Sequence, residues 1–234
     1  MKSEAWIMPV RVRFKAVLFD LGGTLIKTAP IPEILRRILE AHGIQKSLSE
    51  IATAHRETES RLSLEDYAMP YDEFWIRWNL GILRGLKIQR NLRYLARVIL
   101  EEWWDYADVE LYPDVMGTLR YLRQYGFKTG IVTNGFKADI DEILSRVGLT
   151  GYFDVEVGVD AVGKPKPDRE IFDFALKRLG VNHYEAVFVG DVLEIDYEGS
   201  AGAGLFAILL DRDDRVKEDV RKIRSLTELS EYLQ

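Results

Sequence analysis

Acidic residues, a threonine and a lysine stand where short apolar runs of this chain give way to turns. Asp20 closes the run Ala16–Phe19, and Gly22-Gly23 follows at once. Thr133-Asn134 ends the run that starts at Thr129. Asp191 follows Ala186–Val189, and Asp211 follows Leu205–Leu210. A polar cluster, Gly163-Lys164-Pro165-Lys166-Pro167-Asp168, comes after Val155–Val159. Carboxylates, a hydroxyl and an ammonium gathered at one edge are what phosphoryl transfer requires. One carboxylate can attack phosphorus, and two can hold a hard, oxygen-preferring cation such as magnesium. The hydroxyl, the lysine and the turn amides can cradle the phosphoryl oxygens and stabilise the charge that spreads over them.

The elements needed to gather these residues are legible. The runs read as buried strands of a parallel sheet. Helical patterns lie between them: Val115, Leu119 and Leu122 behind a capping Asp114; Ile140, Ile143, Leu144 and Val147; and Phe172, Ala175, Leu176 and Leu179 ahead of Gly180. Glu194–Ala203 reads as a further helix weakened by glycine. Alternation with short links predicts a doubly wound α/β sheet, in which ligands bind beyond the carboxyl ends of the strands. Residues 28–109 read differently. Ile34, Leu35, Ile38 and Leu39 form one amphipathic stripe, Ile51–Leu64 a second helix, and Phe74 to Trp103 continue the helical period without a strand. The expected division is a catalytic core of residues 1–27 and 110–234 and a helical cap of residues 28–109. Hinges are expected at Lys27–Pro32 and Asp108–Pro113.

Composition narrows the function classes. The chain of 234 residues is 47% hydrophobic and 30% charged with a net charge of −6, a globular balance without the basic block that a nucleic-acid binder uses. It has no cysteine, which removes disulfides, thiolate zinc sites and cysteine nucleophiles. No apolar run is long enough to span a bilayer. Met1–Lys15 lacks the apolar core and cleavage site of a signal peptide, so a cytoplasmic protein without a membrane or nucleic-acid partner is expected. Gly158–Lys164 fits G-x-x-x-x-G-K, but Pro165 stands where a nucleotide loop needs Ser or Thr, and that reading is rejected. His42, His55 and His183 lack metal-ligand spacing. Trp75, Trp78, Trp103 and Trp104 are expected in the cap core, and the cap arginines on a solvated face.

Taken in order, these residues resemble the motifs of the haloacid dehalogenase-like hydrolase superfamily. Asp20-Leu21-Gly22-Gly23-Thr24-Leu25 resembles the first, Thr133-Asn134-Gly135 the second, Lys164 within Gly163–Asp168 the third, and Gly190-Asp191 with Asp196 the fourth. The helical insert resembles the family's cap placed after motif one. The resemblance implies a Rossmann-like core and a phosphatase acting on a small phosphorylated metabolite. It implies that Asp20 forms an aspartyl-phosphate, and that Mg2+ is held by Asp20, the Gly22 carbonyl and Asp191. It further implies that Thr133, Asn134 and Lys164 meet the phosphoryl group, and that Asp196 supports Lys164 or a metal-bound water.

The sequence departs from the family at Gly22, where most of its phosphatases carry a second aspartate that protonates the leaving group. General acid–base help is worth about 10²–10⁴-fold in rate. The departure implies a slow enzyme, a substrate with a good leaving group such as an acyl or aryl phosphate, or an acid supplied by the cap, with Glu65, Asp66, Asp72 and Glu73 as candidates. The alternatives are a non-catalytic phosphate- or metabolite-binding protein on the same scaffold, a 2-haloacid dehalogenase, or a phosphonatase-like hydrolase using Lys46 or Lys87. The retained Gly190-Asp191 argues against the dehalogenase.

Overall fold

The computed structural model describes residues 14–233. The reading of Met1–Lys15 as free of a signal peptide lies outside the described residues, but for Phe14 and Lys15. In chain order come β1 (Ala16–Phe19), β2 (Ile26–Lys27), α1 (Ile31–Ala41), α2 (Leu48–Glu59), α3 (Tyr71–Gly85), α4 (Leu92–Tyr106) and β3 (Glu110–Leu111). Then follow α5 (Val115–Gln124), β4 (Lys128–Val132), α6 (Lys137–Arg146), β5 (Val155–Val157), α7 (Arg169–Leu179), β6 (Ala186–Gly190), α8 (Gly199–Gly202), β7 (Phe206–Leu210) and β8 (Lys222–Ile223).

Six strands form one parallel sheet in the order β5-β4-β1-β6-β7-β8. The first strand is central, and the order reverses on either side of it, which is where such sheets bind ligands. Alternation along the strands sorts the core into two layers. Val17 and Phe19 of β1 join Leu119, Leu122, Ile140 and Ile143 of α5 and α6 on one face. Ala16 and Leu18 join Ile171, Phe172, Ala175 and Leu176 of α7 on the other. Both faces are covered, so the strands read as unbroken apolar runs rather than alternating ones.

The four helices between β2 and β3 pack on an apolar cluster of their own. It is built from Ile34, Leu35, Ile38 and Leu39 of α1, Ile51 of α2, Ile82 and Leu83 of α3, and Leu95 and Ile99 of α4. The two connections to the sheet run side by side. Ile26 pairs with Leu111 and Lys27 with Glu110 in an antiparallel ribbon, and the Ala29 N–H donates to the Ala107 carbonyl at 2.8 Å. Lys27 and Glu110 also form an ion pair at 2.8 Å. Among the described residues, no helix is long and apolar enough to cross a membrane.

Three local expectations change. The second cap helix stops at Glu59, because Ser63 and Asp66 start a separate 3-10 turn over Leu64–Ala68, with Asp66 accepting from the Ser63 N–H at 2.8 Å. The stretch 194–203 forms a π-helical turn over Leu193–Glu198 and then α8. Asp114 precedes α5 without capping it. Its carboxylate instead accepts from Arg212, Ser225 and the Leu226 N–H, which ties the C-terminal segment to the sheet.

Candidate active site

Asp20 extends β1 by one residue, its N–H donating to the Val189 carbonyl at 2.9 Å, so its carboxylate emerges at the carboxyl edge of the sheet. There Lys166 donates to Asp20 Oδ1 and to Asp196 Oδ1, both at 2.6 Å. The Lys166 side chain is 2% exposed and lies over the Phe188 ring, 5.3 Å from its centroid. Asn134 fixes the backbone of that lysine from both sides. Its Oδ1 accepts from the Lys166 N–H at 2.6 Å, and its Nδ2 donates to the Lys166 carbonyl at 3.1 Å.

Lys164, the lysine expected in this position, is not there. It turns outward to pair with Glu170, and its side chain is 38% exposed. The loop bends at Gly163, whose φ is +68°, and Asp168 caps α7 by accepting from the Glu170 N–H. Those two constraints aim the second lysine, not the first, at Asp20. The available sequence signal was the flanking pair Pro165 and Pro167, which restrict the backbone around Lys166. Asn134, expected to face the phosphoryl group, has both ends of its amide committed to this lysine.

Asp191 completes the group. Thr24 Oγ1 donates to its Oδ1 at 3.3 Å. Asp20, Asp191 and Asp196 each bring one carboxylate oxygen to within 4.8 Å of the others. Two glycines make this convergence possible. Gly23 has φ +77°, and a side chain on it would collide with the Asp191 carboxylate; one on Gly190 would collide with Asp196.

Three carboxylates thus face a single ammonium. Burial first, and then the neighbouring charges of Asp196 and Asp191, push the Asp20 pKa up to about 7 against the opposing pull of Lys166. Burial and Asp196 also raise Asp191. Burial tends to lower Lys166, but the charges of Asp20 and Asp196 outweigh it and hold the ammonium protonated. The excess negative charge on hard oxygen donors suits a divalent cation such as magnesium. Asp196 is fully engaged by Lys166 and by the Val192 N–H, which donates to its Oδ2 at 3.0 Å. That leaves the second oxygen of Asp20 and the Asp191 carboxylate as the side-chain donors free to hold such a cation.

Thr133, Gly22, Gly135 and Asp139 form the sheet side of a cavity of about 310 Å³ whose other walls come from α1 to α4. A Cβ at Gly22 would meet nothing within 4 Å, so the space a side chain would occupy there is open. Thr133 is buried, and its Oγ1 accepts from the Gly135 N–H at 3.3 Å. Tyr71, at the start of α3, donates to Asp139 Oδ1 at 2.8 Å and so links cap to core. Burial raises the pKa of Asp139, opposed by Tyr71 and the Phe136 N–H.

Sequence reasoning missed Asp139, because it reads as an ordinary first-turn acid of α6. None of Glu65, Asp66, Asp72 and Glu73 lines the cavity; Glu59 and Asp139 are the acids that do. Asp66 is spent on Ser63 and Arg77. His55 lines the cavity, whereas His42 pairs with Glu102 and His183 with Asp173. Asp211 is a turn builder, accepting from the Arg215 and Val216 N–H groups. Arg36 and Arg37 pair with Glu33, Glu40 and Asp108 on the outer side of α1.

The family model of the haloacid dehalogenase-like hydrolases matches residues 14–204. A glyceraldehyde 3-phosphate phosphatase from Methanopyrus kandleri is 34% identical over 204 residues, which is 85% of this chain and 84% of that protein. A HAD phosphatase from Thermococcus onnurineus superposes with a TM-score of 0.69 at 30% identity, over 94% of this chain and 98% of the other. A 2-haloacid dehalogenase from Pseudomonas syringae superposes with a TM-score of 0.73 at 27% identity, over 94% and 98%.

Proposed function

The chain belongs to the haloacid dehalogenase-like hydrolase family, and as a phosphatase of that superfamily we propose that it cleaves a small phosphoric monoester or acyl phosphate through a phosphorylated Asp20, with magnesium as cofactor. The observation that carries this reading is the buried Asp20–Lys166–Asp196 triad at the central strand, with Asp191 converging on it.

One Asp20 oxygen attacks phosphorus in line with the ester oxygen. The phosphorus–ester oxygen bond breaks, and the leaving group departs with the electron pair. Water then attacks the same phosphorus, the bond to Asp20 breaks, and inorganic phosphate is released with the carboxylate restored. Lys166, held by Asn134, orients Asp20 and offers its ammonium to the charge on the phosphoryl oxygens, and Thr133 offers its hydroxyl. Asp196 keeps Lys166 in place and charged. Bound by Asp20, Asp191 and the Gly22 carbonyl, magnesium would neutralise the phosphoryl oxygens and the crowded carboxylates. Gly22 provides no acid, so the leaving group must depart unassisted or take its proton from solvent.

A panel of phosphate esters and acyl phosphates assayed with magnesium tests the reading. Phosphate release is expected from wild type, and none from Asp20→Asn. Release that survives that substitution would overturn the role of Asp20. Open space at Gly22 favours a second reading, a non-catalytic metabolite-binding protein, which predicts saturable binding of phosphate compounds and no turnover of any. Chloride release from 2-chloropropionate without metal would instead mark a dehalogenase.

A further inference from the structure

We infer that the cavity between the helical insert and the sheet takes a planar, uncharged aromatic leaving group, which makes aryl phosphates the substrate class; the inference rests on the phosphatase reading of the Asp20 site. Four indoles, Trp75, Trp78, Trp103 and Trp104, line the cavity together with aliphatic side chains such as Ile34 and Ile99. Gly22 and Thr133 stand at its sheet side, so a group attached to a phosphoryl at Asp20 extends into it. A dry apolar cavity of about 150 Å³ admits benzene. One of about 310 Å³ therefore has room for two fused rings.

The polar groups on its wall point the same way. Among the described residues lining it there is no lysine or arginine, while Glu59 and Asp139 are acidic. A second phosphate or a carboxylate on the substrate would meet repulsion there rather than a partner. The Asn79 Nδ2 donates to the Ala96 carbonyl and the Tyr71 hydroxyl to Asp139, so two of the donors on the wall are already engaged and less available to the hydroxyls of a polyol. One buried ring nitrogen on the wall, His55 Nε2, has no hydrogen-bond partner. A buried polar atom without a partner is costly, and one polar substituent on the ring could satisfy it.

The chemistry at Gly22 agrees. An aryl oxide departs with the electron pair of the broken phosphorus–oxygen bond and needs no proton during bond breaking, so the side chain missing at Gly22 is not needed. An alkyl phosphate has no such escape.

The test compares esters of similar leaving-group basicity, so that the cavity and not the chemistry is read. With magnesium, 1-naphthyl phosphate is expected to show a KM about tenfold below that of phenyl phosphate, since the second ring buries further apolar surface. 4-Carboxyphenyl phosphate is expected to show a kcat/KM at least about tenfold below phenyl phosphate, as an unpaired charge brought against acidic walls would. Trp103→Ala is expected to lower the 1-naphthyl to acetyl phosphate ratio of kcat/KM about tenfold; a second variant, Trp78→Leu, guards against a folding failure. Equal constants for the three aryl esters, or ratios that neither variant moves, would overturn the inference. If no ester is turned over, indole fluorescence of Asp20→Asn titrated with 1-naphthyl phosphate still decides. Saturable quenching keeps the aromatic site and rejects only the catalysis, and absence of quenching rejects the site.

Discussion

Replacing Asp20 by Asn should stabilise the metal-free protein, and more so as pH rises. The folded chain holds the Asp20 proton up to about pH 7, against an ordinary value of 3.8. An acid whose pKa is raised by folding makes the folded state bind more protons than the unfolded one. Stability therefore falls as pH climbs through that window, and the full penalty stands above about pH 7. Burial and the repulsion of the neighbouring carboxylates outweigh the attraction to Lys166 even with that ammonium 2.6 Å away. Asn keeps an oxygen for the Lys166 hydrogen bond and carries no charge.

From about pH 5 to about pH 8 the wild type climbs roughly two pH units below its folded pKa, at about 1.4 kcal/mol each. The advantage of Asn over Asp should therefore grow by about 3 kcal/mol over that interval. For a chain of this size 1 kcal/mol moves Tm by about 2–4 °C, so the Tm gap should widen by about 6–12 °C. Thermal melts of both proteins in EDTA at the two pH values read this directly: titrating groups remote from the site are shared and cancel in the difference, while the response of Lys166, Asp191 and Asp196 to the lost charge belongs to the effect being measured. Magnesium should restore the wild type, by about 2.7 kcal/mol at a hundredfold excess over Kd, and should leave the variant unmoved. A gap that is constant with pH, or that narrows as pH rises, would refute the claim that crowded carboxylates strain this site.

Lys166→Met should cost about 3–5 kcal/mol, because it leaves Asp20 and Asp196 buried and unpaired, and should reduce phosphate release at least about 10²-fold; chemical denaturation and a phosphate assay read the two effects. Lys164→Met removes only a surface pair, and should leave stability within about 0.5 kcal/mol and turnover within about twofold. Gly22→Asp fits the open space and should raise turnover of alkyl phosphates by about 10²-fold or more; unchanged or lower turnover would mean that a missing acid is not what limits the enzyme. Tyr71→Phe leaves the Asp139 carboxylate without its partner from the cap, and should lower stability by about 1–3 kcal/mol in urea titrations.

Where sequence reasoning succeeded, a local rule was enough. Ala16–Phe19 is apolar on both faces, so it had to be a strand covered on both sides, and its first polar residue had to emerge at an edge. The same rule put Thr133 and Asp191 just past the ends of β4 and β6. It failed where direction within a loop decides. Lys164 and Lys166 have the same chemistry and sit two residues apart, and only the turn at Gly163, the cap at Asp168 and the grip of Asn134 determine which of them enters the site. Asp139 was invisible for a related reason. Its position is typical of a helix first turn, and what makes it unusual is burial beneath Tyr71, a contact across 68 residues of chain. The tryptophans were legible as residues of the helical insert, but whether an indole fills a core or walls a cavity depends on how the insert and the sheet layer meet, which no periodicity encodes.

The glycine at position 22 and the indole wall then have one physical account. At the sheet, Gly22 removes the group that would protonate a poor leaving group, which costs rate only when the leaving group is basic. In the insert, indoles and isoleucines dominate the cavity wall, and among its described residues there is no lysine or arginine to meet a second anionic group. An aromatic ester meets both conditions at once: its oxide leaves without an acid, and its ring gains from burial what it does not gain from hydrogen bonds. A polyol phosphate meets neither. Adding the acid by Gly22→Asp should therefore raise kcat for alkyl phosphates while leaving their KM high, since the cavity wall is unchanged. A fall in KM accompanying the rise in kcat would show that the acid position, and not the indole wall, sets the choice of substrate.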